Sequence, residues 1–418
     1  MSRLFPTPPW AAGAVLYEVN LRQYTLEGTF KGFQAHLPRL KEMGVRILWL
    51  MPVTPISSLK RQGTLGSYYA AASYDRINPE FGSMKDFAGL IDAAHALNMY
   101  VIIDWVANHT GCDHEWTSEH PDWYIKDEAG DFTERNGWQD VIDLDFTKQE
   151  MRVAMIRSMQ GWVEMGVDGF RCDMAHLVPL DFWQQARSKC DQQRPLFWLG
   201  ECEVAQYQDV FDVTYGWAWM HAGEQLVKGK ISITEMYGIL NGYEREQQAL
   251  SLLFTSNHDE NSWNGTEYEK FGGAARAMAV LTCTWKGMPL VYSGQESPNT
   301  KRLLFFDRDT IAWNNPPQLH EFYRRLLHLH ERAAIAAGET FILPATHEMT
   351  MAFFRKKENE TVLVILNFSS RDQLQLTISH PWLQGNFENL FSGLQHRFQS
   401  EEIFEVHGYA YIVYVKQG

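Results

Sequence analysis

A chain of 418 residues, 45% apolar and 21% charged, can bury one large core with a smaller one beside it. Its net charge of −14 argues against nucleic acid, which is held through clustered Lys and Arg. No apolar run approaches the roughly 20 residues that span a bilayer, and the stretch from Met1 to Trp10, with one Arg and no apolar core, does not read as a secretion signal. The five cysteines (Cys112, Cys172, Cys190, Cys202 and Cys283) are odd in number and scattered, with neither a disulfide framework nor a metal-ligand spacing. Buried reduced thiols and a cytoplasmic location are therefore expected. With 15 Trp, 17 Tyr and 24 Phe the chain is also rich in rings that can stack on sugars, although most of them belong to a core.

Apolar, strand-like runs alternate with helical segments along most of the chain. Val15 to Val19 predicts a first strand, Phe30 to Met43 a helix ended by Gly44, and Arg46 to Leu50 a second strand. Met84 to Leu97 predicts the next helix and Tyr100 to Asp104 the third strand. A helix over Met151 to Met165 precedes a fourth strand, Gly169 to Cys172. Helical spacing around Gln184 to Cys190 leads to a fifth strand, Leu196 to Gly200, and Val210 to Val213 reads as a weak sixth. Leu250 to Thr255 and Pro289 to Ser293 complete the series. Eight strands alternating with helices suit a closed (β/α)8 barrel, and also an open doubly wound sheet. No Gly-rich dinucleotide loop follows the first strand, which favours the barrel.

Two stretches break the rhythm. Residues 108–147, rich in Asp, Trp and His, are too long for an ordinary connection and predict a short inserted subdomain. From residue 339 to 418 short alternating runs punctuated by Gly, Asn and Pro predict a C-terminal antiparallel β-sandwich, leaving 1–107 and 148–338 for the barrel.

The polar residues gather where strands end. Asp104 closes strand three, with Asn108 and His109 beyond it; Arg171 and Asp173 close strand four; Glu201 follows strand five; Asn257, His258 and Asp259 follow strand seven. An isolated Arg-x-Asp at a strand end is more often a structural ion pair, and a lone His or Glu after a strand is usually structural or solvated. Four strands ending this way are harder to ascribe to chance, because a barrel brings all those ends to one face. Three carboxylates with an Arg and two His, and no Cys/His metal set, suit attack at an acetal, which needs one ionised carboxylate and one protonated acid. Asp173 beside Arg171 is expected to stay ionised, and Glu201, in apolar surroundings, to be held protonated with help from Asp259.

The same residues resemble the motifs of glycoside hydrolase family 13, the α-amylase family. Asp104-Trp-Val-Ala-Asn-His109 resembles the first, Gly169-Phe-Arg-Cys-Asp-Met-Ala-His176 the second, Leu199-Gly-Glu201 the third and Phe254-Thr-Ser-Asn-His-Asp259 the fourth. Lesser motifs are matched by Tyr17 to Asn20, Met51 to Pro55, Ile77 to Gly82 and Ser293 to Glu296. The resemblance implies a retaining hydrolase of α-1,4-glucosidic bonds in maltooligosaccharides and α-glucans. Asp173 would be the nucleophile, Glu201 the acid/base and Asp259 the stabiliser of the distorted sugar. Arg171, His109 and His258 would hold the sugar and nucleophile, Tyr69 rather than Tyr68 would stack on the sugar, Asp104 would support the site, and His176 would face the leaving group. It requires no cofactor; a structural calcium is allowed but not predicted, since Asn108 matches one family ligand while Asp113, Asp140, Asp143 and Asp145 cannot be assigned. Transglycosylation, a trehalose-synthase-like isomerisation or α-glucosidase action share the same motifs. A non-catalytic glucan-binding homologue is disfavoured by the presence of all three acids.

Overall fold

The structure, a computed structural model, describes residues 4–246, 249–344 and 347–416. Residues 1–3, part of the stretch read for a secretion signal, lie outside the described residues. Eight parallel strands close into a barrel in chain order: Leu16–Val19, Ile47–Leu50, Tyr100–Trp105, Gly169–Cys172, Phe197–Gly200, Val213–Tyr215, Leu250–Leu253 and Met288–Tyr292. These are barrel strands one to eight. Closure comes from strand one pairing with strand eight, Leu16 beside Leu290 and Tyr17 beside Val291. Each strand is buried on both faces, which is why they read as continuous apolar runs rather than alternating ones. At Gly169 a Cβ would lie 1.9 Å from the Phe197 carbonyl oxygen, so only glycine lets strand four approach strand five there.

Two expectations need correction. The helix predicted over Phe30 to Met43 is two helices, Phe30–Gln34 and Leu37–Met43. Pro38 sits in the first turn of the second; it lacks the N–H that would have bonded to the Gln34 carbonyl four residues back, so the helical ladder breaks and restarts there. Gly44 ends it at a φ of 102°. The sixth strand begins at Val213 rather than Val210: the Asp212 carboxylate is tied to Arg187 and to the Trp198 amide, and ladder pairing starts with Val213 beside Leu199. The helix Met84–Ala96 starts at a capping box in which Ser83 and Asp86 satisfy each other's amides.

After strand three the chain makes a small antiparallel pair, His109–Gly111 with Val141–Asp143, around a short helix, Trp116–Glu119. Trp116, Trp123, Tyr74 and His114 pack edge and face beneath it. At the C-terminal end a six-stranded antiparallel sheet faces a two-stranded one formed by Leu374–Ser379 and Glu401–Val406. Alternation divides the larger sheet between two cores. Phe354, Leu363 and Ile365 pack toward Leu376, Ile378 and Phe404, whereas Phe353, Val362, Val364 and Val413 join the barrel core. Among the described residues no helix is long and apolar enough to cross a membrane.

Candidate active site

Strand register sets the first contact. Asp104 on strand three lies directly beside Arg171 on strand four, and Cys172 beside Gly200 on strand five. Asp173 and Glu201 each stand one residue past those strands, so their carboxyls converge on the same end of the barrel.

Arg171 is the hub. Fully buried, its Nη1 donates to Asp104 at 3.0 and 3.2 Å and to Asp173 Oδ1 at 2.9 Å, while Nε donates to the Tyr215 hydroxyl at 3.2 Å. Nη2 lies 2.9 Å from Glu201 Oε2, but off the direction of its N–H bonds, so this contact is an ion pair without a hydrogen bond. Glu201 instead accepts a hydrogen bond from the Met174 amide at 2.9 Å. That amide is aimed by a left-handed Met174, φ 40°, an uncommon conformation for a side chain larger than Asn or Asp. The Trp49, Tyr69 and Tyr215 rings surround the guanidinium at 4.9, 5.8 and 5.5 Å from their centroids, which helps a buried cation.

A second cation stands across the site. His258 Nδ1 lies 2.5 Å from Glu18, and Nε2 lies 2.7 Å from the Tyr69 hydroxyl and 3.2 Å from Asp259. Burial disfavours its charge, yet Asp259 and Glu18 outweigh that and raise its pKa well above the usual value. With both ring nitrogens protonated, His258 donates to Tyr69, and the Tyr69 hydroxyl in turn donates a hydrogen bond to Asp104 at 3.1 Å. Burial likewise pushes Asp259 up, but His258 dominates jointly with Arg171 and leaves its carboxyl below the ordinary range.

The central acids behave differently. Burial raises Asp173 to about 6 against the opposing pull of Arg171, whose guanidinium is divided among three carboxyls, so Asp173 is still mostly ionised at neutral pH but less firmly than an undivided ion pair would make it. Glu201 is raised to about 7, first by burial and then by Asp173 and Asp259. Asp173, more than Asp259, is thus the neighbour that keeps its proton on.

Above these groups lies a cavity of about 330 Å³ lined by Asp173, Glu201, Asp259, Tyr69, His109 and several aromatic residues. Arg171, Asp104 and His258 form the layer beneath. His109, 5.0 Å from the Trp138 ring, is pushed down to about 4 by burial and is neutral. Tyr68 turns away and donates to Asn20. His176 is not brought in: it sits exposed on the single turn Ala175–Leu177, outside the cavity lining. Sequence reading matched Tyr17 to Asn20 as a lesser motif but gave Glu18, which fixes His258, no role, and it missed the walls contributed by Trp138, Trp263, Phe305 and Phe306. The Phe-Phe pair after strand eight was the visible signal for the last two.

The residues present do not fit a calcium cradle. Asn108 turns its amide nitrogen toward Asp143 and His109, and Asp143 is paired with Arg135 at 2.6 Å. Among the described residues no three His, Cys, Asp or Glu side chains cluster as a metal-binding set.

Comparisons with known proteins bear on the family and the fold. A model of the α-amylase catalytic domain matches residues 18–322. An α-amylase of Haloarcula japonica is 27% identical over 397 residues, which cover 88% of this chain and 57% of that protein, so the chain spans little more than half of that relative. An α-amylase of Dictyoglomus thermophilum is 26% identical over 445 residues, 86% of each chain. Among solved structures, an α-amylase from Lactobacillus plantarum aligns with a TM-score of 0.89 at 26% identity over 98% of this chain and 100% of that one. A maltogenic α-amylase from Thermotoga neapolitana aligns equally well, at 30% identity over 97% and 99%.

Proposed function

The chain belongs to the α-amylase family of glycoside hydrolases, and from that premise we propose that it cleaves α-1,4-glucosidic bonds in maltooligosaccharides and related α-glucans with retention at the anomeric carbon. The observation that carries the reading is the single Arg171 guanidinium touching both Asp173 and Glu201. Carboxyls held by one fork are close together. That suits the separation of about 5–5.5 Å used by retaining enzymes, and the retaining mechanism follows the family membership.

Asp173, mostly ionised above its value of about 6, attacks the anomeric carbon while Glu201, at about 7 still carrying its proton in a large fraction of molecules, protonates the leaving oxygen. The C1–oxygen bond breaks, and an ester to Asp173 forms. Glu201, now a carboxylate, takes a proton from water, whose oxygen displaces Asp173 from C1. Asp259, kept anionic by His258, lies at the cavity wall to stabilise the oxocarbenium-like charge, and Tyr69 offers its ring as a floor. No cofactor enters this scheme. Arg135 serves where a cation would otherwise neutralise Asp143. Five buried, unpaired thiols support a reducing, cytoplasmic location.

The test is a time course on maltotriose with the anomer of the first product read by NMR. An α-anomer formed first supports retention; a β-anomer overturns it. Products longer than the substrate would mean that a sugar competes with water for the ester. Glu201→Gln should lower turnover of maltotriose by ~10²–10⁴-fold yet slow the first step much less on an aryl glycoside, whose leaving group needs no acid.

A further inference from the structure

In a barrel closed in chain order, strand five lies diametrically across from strand one, and strands two and eight flank strand one. Glu201, which follows strand five, marks the side of the cavity where the leaving part of the substrate sits. The glycone, the part whose C1 is attacked and which runs on toward the non-reducing end, must extend the opposite way, over strand one. There the loops after strands two and eight are joined. Asp307 Oδ1 accepts from both the Thr64 amide and hydroxyl, at 2.8 and 2.7 Å, and the Leu65 amide donates to the Phe306 carbonyl at 2.9 Å. Gly63, at a φ of 57°, lies so close to Phe306 that a Cβ would stand 2.6 Å from the Phe306 Cβ. The segment after strand one ties the same seam from below: Gln23 donates to the Leu304 carbonyl at 2.6 Å and Arg22 to the Leu65 and Gly66 carbonyls at 3.3 and 3.1 Å. On the cavity side this seam presents Gln62, Phe305 and Phe306. Phe305 packs nearly parallel to Tyr69 and against Trp263, so the wall is stiffened by ring contacts as well as hydrogen bonds.

We propose that this seam makes the glycone side of the cavity blind, so that the protein takes an α-glucan only by its non-reducing end and releases a mono- or disaccharide. The inference rests on the hydrolase reading above and adds the direction and length of the bite. A cavity of about 330 Å³ has room for one or two sugar rings, near the bottom of the roughly 300–1,000 Å³ range of small-molecule sites. A longer glycone, or any bulky group on its terminal sugar, would have to pass through the Thr64–Asp307 seam. Asp307 and Thr64 are positioning residues here: they act through the loops they join.

The experiment compares maltoheptaose with the same oligosaccharide carrying an acetal on the 4- and 6-hydroxyls of its non-reducing sugar, using the purified full chain and chromatography of early products. Free maltoheptaose should yield one short sugar from the first minutes, and the blocked form should be cleaved at least ~100-fold more slowly, as steric exclusion by a closed wall requires. Comparable mid-chain cleavage of the blocked form would overturn the blind pocket while leaving the hydrolase reading intact. Turnover of neither substrate would overturn both. Asp307→Ala should lengthen the early products and narrow the gap between the two substrates. Gly63→Ala, which forces Phe306 away, should shift them in the same direction and serves if the first variant folds poorly. Unchanged product lengths and an unchanged ratio in the folded variants would overturn the assignment to this seam.

Discussion

At Asp173 burial and the Arg171 guanidinium pull in opposite directions, and burial leaves the carboxyl at about 6, with Glu201 close above it at about 7. The reactive form needs the first ionised and the second protonated, so kcat/KM should follow a narrow bell, rising with pH through about 6 and falling through about 7. Both limbs belong to the coupled pair rather than to either residue. A profile flat to pH 9 would contradict the assignment. Stability moves as well. Because folding raises Glu201 from 4.5 to about 7, its contribution is fully present below 4.5 and is lost as pH rises through about 7. Glu201→Gln escapes that loss, so its melting temperature should overtake the parent's as pH rises from 5 to 8, by an amount equivalent to a few kcal/mol in order of magnitude. Comparing the two proteins by thermal melting at both pH values checks the sign. The same pairing sets the timing of the proposed reaction. Once Asp173 is esterified it no longer raises Glu201, so the acid of the first step becomes a better carboxylate for the second.

At the scale of elements, the inserted segment carries a prediction of its own. If Arg135 neutralises Asp143, a chelator should leave the melting temperature unchanged. Arg135→Ala should cost about 1–2 kcal/mol, reduced from the full penalty of a bared buried carboxylate by the exposure of the Arg side chain. Thermal melts with and without EDTA decide it; a drop in the parent would reveal a bound cation. The barrel strands were legible because parallel strands buried on both faces leave short, unbroken apolar runs, and because Asp104, Arg171 and Glu201 stand at their ends. Strands Gln395–Phe398 and Glu401–Val406 were not legible, since they lie at the periphery and alternate with many exposed positions. The break before Leu37 was written in Pro38 but masked by the apolar spacing around it. Least legible were the cavity walls. Trp138, from the inserted segment, and Trp263, from the helical turn Glu260–Asn264, meet only because the barrel closes, and no local spacing encodes that. The same holds for Glu18, far from His258 in sequence and 2.5 Å from it in space.

For the whole molecule, the six-stranded sheet is the deciding element, because one face belongs to the barrel core and the other to the C-terminal core. Phe353 meets Trp285 at 4.9 Å and the Tyr237 hydroxyl donates to the Ala352 carbonyl, so the two cores share a wall rather than a linker. Calorimetry should accordingly give one unfolding transition with matching calorimetric and van't Hoff enthalpies; two separated peaks would mean that the sheet docks loosely. Removing residues 339–418 should leave an aggregating barrel, since Trp285 and the face around it would lie bare. This shared wall also bears on biosynthesis. Strand one waits for strand eight, and the barrel face around Trp285 waits for Phe353 and Val364, so a chain still emerging from the ribosome holds its central carboxyls without a finished scaffold. A fragment that stops at residue 338 should therefore lack activity as well as solubility, and turnover of maltotriose by such a fragment would contradict the shared wall.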